Sequence, residues 1–152
     1  NICEDYLLNK ETYLNKRMPL SVELFNNIQP ILDEHVEAIY GNELALFSHT
    51  LKTAGRTDMF CRFMGINTIV DFKTATTNKK EQWIEDYFLQ STAYAIMLEE
   101  RTGIPIPQIV IVMAPDDASP GQLFVKKRDD YINDAVKLIK KYYEYTASKT
   151  LP

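Results

Sequence analysis

The sequence predicts an α/β or α+β sandwich whose elements run in the order ααβββαββα. Three observations carry this expectation. Helical spacing of apolar residues opens and closes the chain. A block rich in β-formers, broken by Met64-Gly-Ile-Asn67, occupies its middle. Beyond a long helical stretch, Gln108-Ile-Val-Ile-Val-Met-Ala114 is a near-continuous apolar run, as expected of a strand covered on both faces. With 152 residues, 45% hydrophobic and 25% charged, the chain suits one domain with a sizeable core. No internal repeat, low-complexity tract or Gly/Ser linker divides it. Within that single domain, 1–42 reads as a helical N-terminal part and 43–146 as the core.

Each element has a local reason. Ile2, Tyr6, Tyr13 and Leu7, Leu14 group at helical spacing, which predicts a first helix over Ile2 to Leu14. Met18-Pro-Leu-Ser21 reads as loop and N-cap for a second helix, Val22 to Tyr40, open to a break at Pro30 and stopped by Gly41-Asn42. Strands are expected over Leu44 to Leu51, Thr57 to Phe63 and Thr68 to Thr74. A polar loop, Thr76-Thr-Asn-Lys-Lys80, leads to a helix from Glu81 to Arg101, ended by Gly103 at the C′ position with Pro105 just beyond. Gly121 to Val125 is a short strand. Asp129 is placed to cap a last helix carrying Tyr131, Ile132, Ala135, Val136, Ile139, Tyr142 and Tyr143 on its apolar side.

Composition narrows the function. No apolar run reaches the length a membrane span needs, and no basic-then-apolar leader opens the chain, so a soluble, intracellular protein is expected. Cys3 and Cys61 are too few for a disulfide framework, a zinc knuckle or a four-cysteine cluster, and read as free thiols. The formal net charge of −4 argues against bulk nucleic-acid binding, but it hides an asymmetry. Residues 1–50 carry 3 Lys/Arg against 8 Asp/Glu, while residues 121–152 carry 7 against 4. One local basic patch can still hold phosphates. There is no GxSxG elbow and no GxxxxGK[ST] phosphate loop. Neither cysteine has a persuasive histidine partner.

The stretch Thr68-Ile-Val-Asp-Phe-Lys-Thr74 begins as a buried strand and then places Asp71 and Lys73 two residues apart, on one face. If the second and third strands form a hairpin about Met64-Gly65, Asp58 lies directly across from Asp71. Opposed side chains sit about 4.5–5.5 Å apart, and like charges there destabilise the pair. A hard divalent cation reconciles them. Mg²⁺ takes one or two carboxylates at about 2.0–2.1 Å and completes its shell with water and substrate phosphate. Lys73 would then stabilise charge developing on a phosphate oxygen. The plainer reading is a surface salt bridge worth about 0–1 kcal/mol.

Gly55-Arg-Thr-Asp58, Ile69-Val-Asp71-Phe-Lys73-Thr and Gln90-Ser-Thr-Ala-Tyr94, in that order and spacing, resemble the RecB-like branch of the PD-(D/E)XK nucleases. The likeness runs from about Leu44 to Tyr145 and is greatest to phage exonucleases and the mitochondrial genome maintenance exonuclease. It implies a restriction-endonuclease-like core, a central mixed sheet flanked by helices. Asp58 matches the family's metal-binding Asp after the GxxD glycine. Asp71 matches the metal-binding Asp of the DxK strand, Lys73 the catalytic lysine, and the Phe72 carbonyl the backbone metal ligand. Gln90 and Tyr94 match the QxxxY helix motif beside the active site and the DNA; residues four apart share a helical face. Asn-Ile-Cys-Glu-Asp5 looks like the tail of a His-xxx-Glu motif whose His would precede Asn1, which makes Glu4 either a further metal ligand or a solvated helix residue. The four cysteines that some relatives carry for a cluster are not present.

Lys79 and Lys80, with Trp83 close behind, suit a single strand, lysines on phosphates and the ring on a base; the alternative is a solvated loop and a core tryptophan. Arg56 is a possible DNA contact. His35 and His49 read as structural. Lys126-Lys-Arg128 and Lys137, Lys140, Lys141 either extend a phosphate track or form the exposed side of an amphipathic helix. The resemblance implies a Mg²⁺- or Mn²⁺-dependent deoxyribonuclease, an exonuclease on single-stranded DNA or DNA ends, monomeric, acting in a phage-infected cell's cytoplasm or in a mitochondrion. The rivals are a non-cleaving or partner-dependent DNA-binding module on the same fold, and a structure-specific endonuclease.

Overall fold

A computed structural model describes residues 19–49, 53–117 and 119–150. It shows a mixed five-stranded sheet in the order β1-β2-β3-β4-β5, flanked by three helices. In chain order these are α1 (Pro19–His35), β1 (Val36–Ser48), β2 (Thr53–Phe63), β3 (Ile66–Ala75), α2 (Glu85–Thr102), β4 (Gln108–Pro115), β5 (Gln122–Lys127) and α3 (Ile132–Thr150). Single 3₁₀ turns over Glu81–Trp83 and Arg128–Asp130 lead into α2 and α3. Only β3 and β4 pair in parallel, the connection that α2 makes possible; every other neighbouring pair is antiparallel. The α+β class and the central sheet are as expected, and no described helix is long and apolar enough to cross a membrane. The helix expected over Ile2 to Leu14, with Cys3 and Glu4, lies outside the described residues.

Each sheet face has its own core. On one side α1 lays Phe25, Ile28 and Leu32 over Met59, Cys61, Phe63, Val70, Val110 and Val112. On the other, α2 packs Phe88, Tyr94, Ala95, Met97 and Leu98 over Phe60, Ile69, Ile109, Ile111 and Met113, with Tyr131 and Ile139 at the edge. Sandwiched between them, all eight residues of β4 are buried, which explains its unbroken apolar run. Burial of Cys61 pushes its thiol up to about 12, so it stays protonated and unreactive.

The hairpin between β2 and β3 closes at Met64-Gly65, both at positive φ (52° and 78°), the backbone a two-residue type I′ turn requires. Gly103 stands at the end of α2 with φ 70°, its amide donating to the Glu99 carbonyl, as expected of a C′ glycine.

Several boundaries differ from expectation. The second helix starts at Pro19 rather than after Ser21, runs through Pro30, and stops at His35 instead of Tyr40. Val36 to Tyr40, with Gly41 and Asn42, belong to β1, where they pair with Phe63 to Met59 through two register shifts. Partners across β2 outweigh local helical periodicity there. The helix expected to begin at Glu81 is a 3₁₀ turn first and α-helical only from Glu85. Asp129 sits inside a 3₁₀ turn and pairs with Arg128 rather than capping α3. His35 packs on Phe63, and His49 lies in the turn after β1 rather than in a strand.

Candidate active site

β3 builds the site through its period of two. Val70 faces α1, so Asp71 and Lys73 face α2, and Lys73 Nζ lies 2.8 Å from Asp71 Oδ2. Asp71 is buried, at 5% exposure, next to the apolar rows of two cores. The buried Oδ2 has the Lys73 ammonium as its charged partner. Burial would lower the Lys73 ammonium, but Asp71 beside it, with Tyr87 and Asp58 further off, holds it above the ordinary lysine value.

Asp58 reaches the same place by a different route. The β2–β3 ladder ends at Met59↔Val70, one residue short of Asp58 and Asp71. Beyond it the strands part, and Asp58 Oδ2 takes the Phe72 backbone N–H at 2.8 Å. The expected direct cross-strand pair is therefore a fork in the sheet, with one carboxylate set into the gap. Both aspartates lie close enough to act electrostatically on Lys73 and on Tyr94.

α2 closes the site from above. Gln90 Oε1 lies 3.4 Å from Lys73 Nζ. Tyr94, one turn on, is buried; its hydroxyl takes the Arg56 backbone N–H, and burial, then the Asp71 charge, raises it above the ordinary tyrosine value. The Tyr94 ring also fixes the residue at 55. A Cβ built on Gly55 would stand 2.4 Å from Tyr94 Cε1, so only glycine lets β2 pass this closely. The GxxD and QxxxY residues thus touch one another as well as flanking the carboxylates.

Sequence reasoning missed Tyr87. Its ring lies 4.8 Å from Lys73 Nζ and, with Gln90 and Tyr94, completes one helical face at spacings of three and four. That spacing was readable; attention stopped at the QxxxY pair. The remaining candidates lie around the rim. Lys79 is held by its backbone, which exchanges two hydrogen bonds with the Gln122 side chain, at 2.8 and 2.9 Å. Lys80 Nζ lies 5.3 Å from the Trp83 ring, and Trp83 is exposed rather than part of the core. Arg56 is exposed and paired with Glu43 at 2.7 Å.

The donor set fits a hard divalent ion. Asp58, Asp71 and the Phe72 carbonyl offer oxygen donors, the type such an ion takes, and one of them, Asp71, is buried beside the Lys73 ammonium. Among the described residues no group of three or more His, Cys, Asp or Glu that could hold a metal ion gathers.

No family model matches the chain, and no curated protein matches it. Among solved structures, the fold is similar to that of a crystal structure named "Putative exonuclease" from Eubacterium rectale, with a TM-score of 0.60 and 13% identity. The match covers 94% of this chain but 62% of that one, so this chain spans less than two thirds of the length of the protein it resembles. At that identity the likeness is one of fold, and it is shared by a helix-flanked mixed sheet of five strands.

Proposed function

We propose that the chain is a metal-dependent DNA exonuclease that hydrolyses phosphodiester bonds in single-stranded DNA or at DNA ends. The observation that carries this reading is the convergence of Asp58, Asp71 and Lys73 at the fork between β2 and β3, with Asp71 buried and paired to the Lys73 ammonium. Mg²⁺ or Mn²⁺, held by Asp58, Asp71 and the Phe72 carbonyl, would neutralise phosphate charge and make water a competent nucleophile. The rest of the chemistry belongs to side chains. Lys73 stays protonated at neutral pH and offers its charge to a phosphate oxygen as it becomes more negative. Tyr87 and Gln90 hold the ammonium in place. Tyr94 remains a neutral hydroxyl on the α2 side of the site.

Glu4 is proposed as a further ligand. The last turn of α1 meets the β2–β3 turn, where Met64 N–H donates to the His35 carbonyl, while Asn27 reaches the Pro115 carbonyl at the far end of β4. Glu4 itself lies outside the described residues, and its part in the proposal rests on the resemblance of Asn-Ile-Cys-Glu-Asp5 alone. Monomeric action inside a cell, in an infecting phage's host or a mitochondrion, remains part of the same proposal.

A second reading, a non-cleaving or partner-dependent DNA-binding module, is favoured by the small number of acidic groups at the site. Labelled single-stranded DNA incubated with Mn²⁺, with and without EDTA, separates the two. Chelator-sensitive degradation supports the enzyme; binding without products supports the module; internal cuts instead of a ladder from one end support a structure-specific endonuclease. Asp71→Asn and Lys73→Ala should each lower cleavage by at least about a hundredfold while the protein stays folded. Full activity in either pure variant would refute the assignment.

A further inference from the structure

We propose that Trp83 is a stacking platform for an unpaired base, which makes single-stranded DNA the form the site receives; this rests on the nuclease reading. Trp83 is 61% exposed, the most exposed large hydrophobic residue among those described. A side chain of that size normally buries most of its ring, so its position calls for an occupant.

The platform is held, not floppy. The loop leaving β3 is fixed at both ends. Asp116 N–H donates to the Ala75 carbonyl, and Asp117 bonds Thr77 and the Ser119 amide. Gln122 clamps the Lys79 backbone as a strand partner would. A 3₁₀ turn then carries Trp83, whose amide donates to the Lys80 carbonyl. Glu81 on that turn pairs with Lys126 of β5. Lys80 Nζ sits 5.3 Å from the ring centroid, within reach of a phosphate attached to a base lying on the ring.

The same segment leads into the active-site helix. Tyr87, under the Lys73 ammonium, is four residues past Trp83. A strand with a phosphate near Lys73 offers an interior base to Trp83 only if that base is unpaired, because inside a duplex both of its faces are covered by its neighbours.

The chain has one tryptophan, so its fluorescence reports this position alone. Oligothymidylate is titrated in EDTA, following tryptophan emission and, in parallel, the anisotropy of a labelled oligonucleotide. Binding should quench the emission, and Trp83→Ala should weaken binding about 5- to 150-fold. Trp83→Phe should recover most of that loss, and a closed circular duplex, which has neither ends nor unpaired bases, should not quench. Binding without quenching, equal quenching by the duplex, or unchanged affinity in Trp83→Ala each overturns the platform. Hydrolysis of bis(p-nitrophenyl) phosphate with Mn²⁺ tests the nuclease reading separately, because so small a diester cannot span from Lys73 to Trp83. Quenching without any metal-dependent hydrolysis sinks the nuclease and leaves the platform; hydrolysis without quenching does the reverse.

Discussion

Replacing Gly55 with alanine isolates the contact that joins two strands of the site to its helix. The added Cβ would stand 2.4 Å from Tyr94 Cε1 and 3.2 and 3.3 Å from Cδ1 and Cζ, where carbon atoms ordinarily rest about 3.5–4.0 Å apart. Gly55 does not have a positive φ, so alanine meets no backbone penalty and the cost is steric. Tyr94 is on the buried face of α2 and cannot swing into solvent, so the overlap should cost about 1–3 kcal/mol, typical of overpacking. In urea, with a slope of about 1–3 kcal/mol per molar, the unfolding midpoint should fall by about 1 M. The Tyr94 background supplies the check. Tyr94→Ala alone should cost about 3–5 kcal/mol, and adding Gly55→Ala to it should cost almost nothing, a coupling of about 1–3 kcal/mol. Tyr94→Phe keeps Cε1, so in that background Gly55→Ala should cost what it does in the wild type. If the penalty is the same in all three backgrounds, the close approach is not what fixes glycine at this position.

Two further outcomes are expected. Gln108→Leu removes two buried hydrogen bonds, from Nε2 to the Phe63 carbonyl at 3.1 Å and to Thr68 Oγ1 at 3.0 Å, and should lower stability by about 1–3 kcal/mol in the same urea assay. Lys73 has a folded value above its ordinary 10.5, so its pairing stabilises the protein fully at lower pH and is lost as pH rises through the folded value. Between neutral pH and about 10 the stability difference between wild type and Lys73→Met should be flat. It should shrink only above that, as measured by urea midpoints across pH; a difference that fades near neutrality would contradict the pairing.

What could be read in advance divides by the range of the forces involved. Asp71 and Lys73 share a face because a strand alternates, and Met64-Gly65 sets the hairpin because its residues accept positive φ. Gly103 ends α2 for the same local reason, and the apolar run of β4 announces cover on both sides. Val36 to Tyr40 misled because Leu32, Val36, Ile39 and Tyr40 also fit a helix, while their strand partners, Cys61 to Phe63, lie more than twenty residues away. The fork at Asp58 was half legible: register brought the carboxylate to the right place, but the end of the β2–β3 ladder at Met59 and Val70 has no sign in the local sequence. Trp83 carried no local sign of exposure, since the Gln122 clamp that presents its loop comes from a strand far along the chain.

The described members of the site all fall in one uninterrupted stretch from Gly55 to Tyr94, a hairpin followed by a helix. Contacts so close in sequence require only short loops to close, so little chain entropy opposes their meeting. The fork, its lysine and the helix over them therefore have the makings of a folding nucleus. Circular permutants opened between β4 and β5, which leave that stretch intact, should refold at nearly the parental rate, whereas opening the chain at Met64-Gly65 should slow refolding markedly.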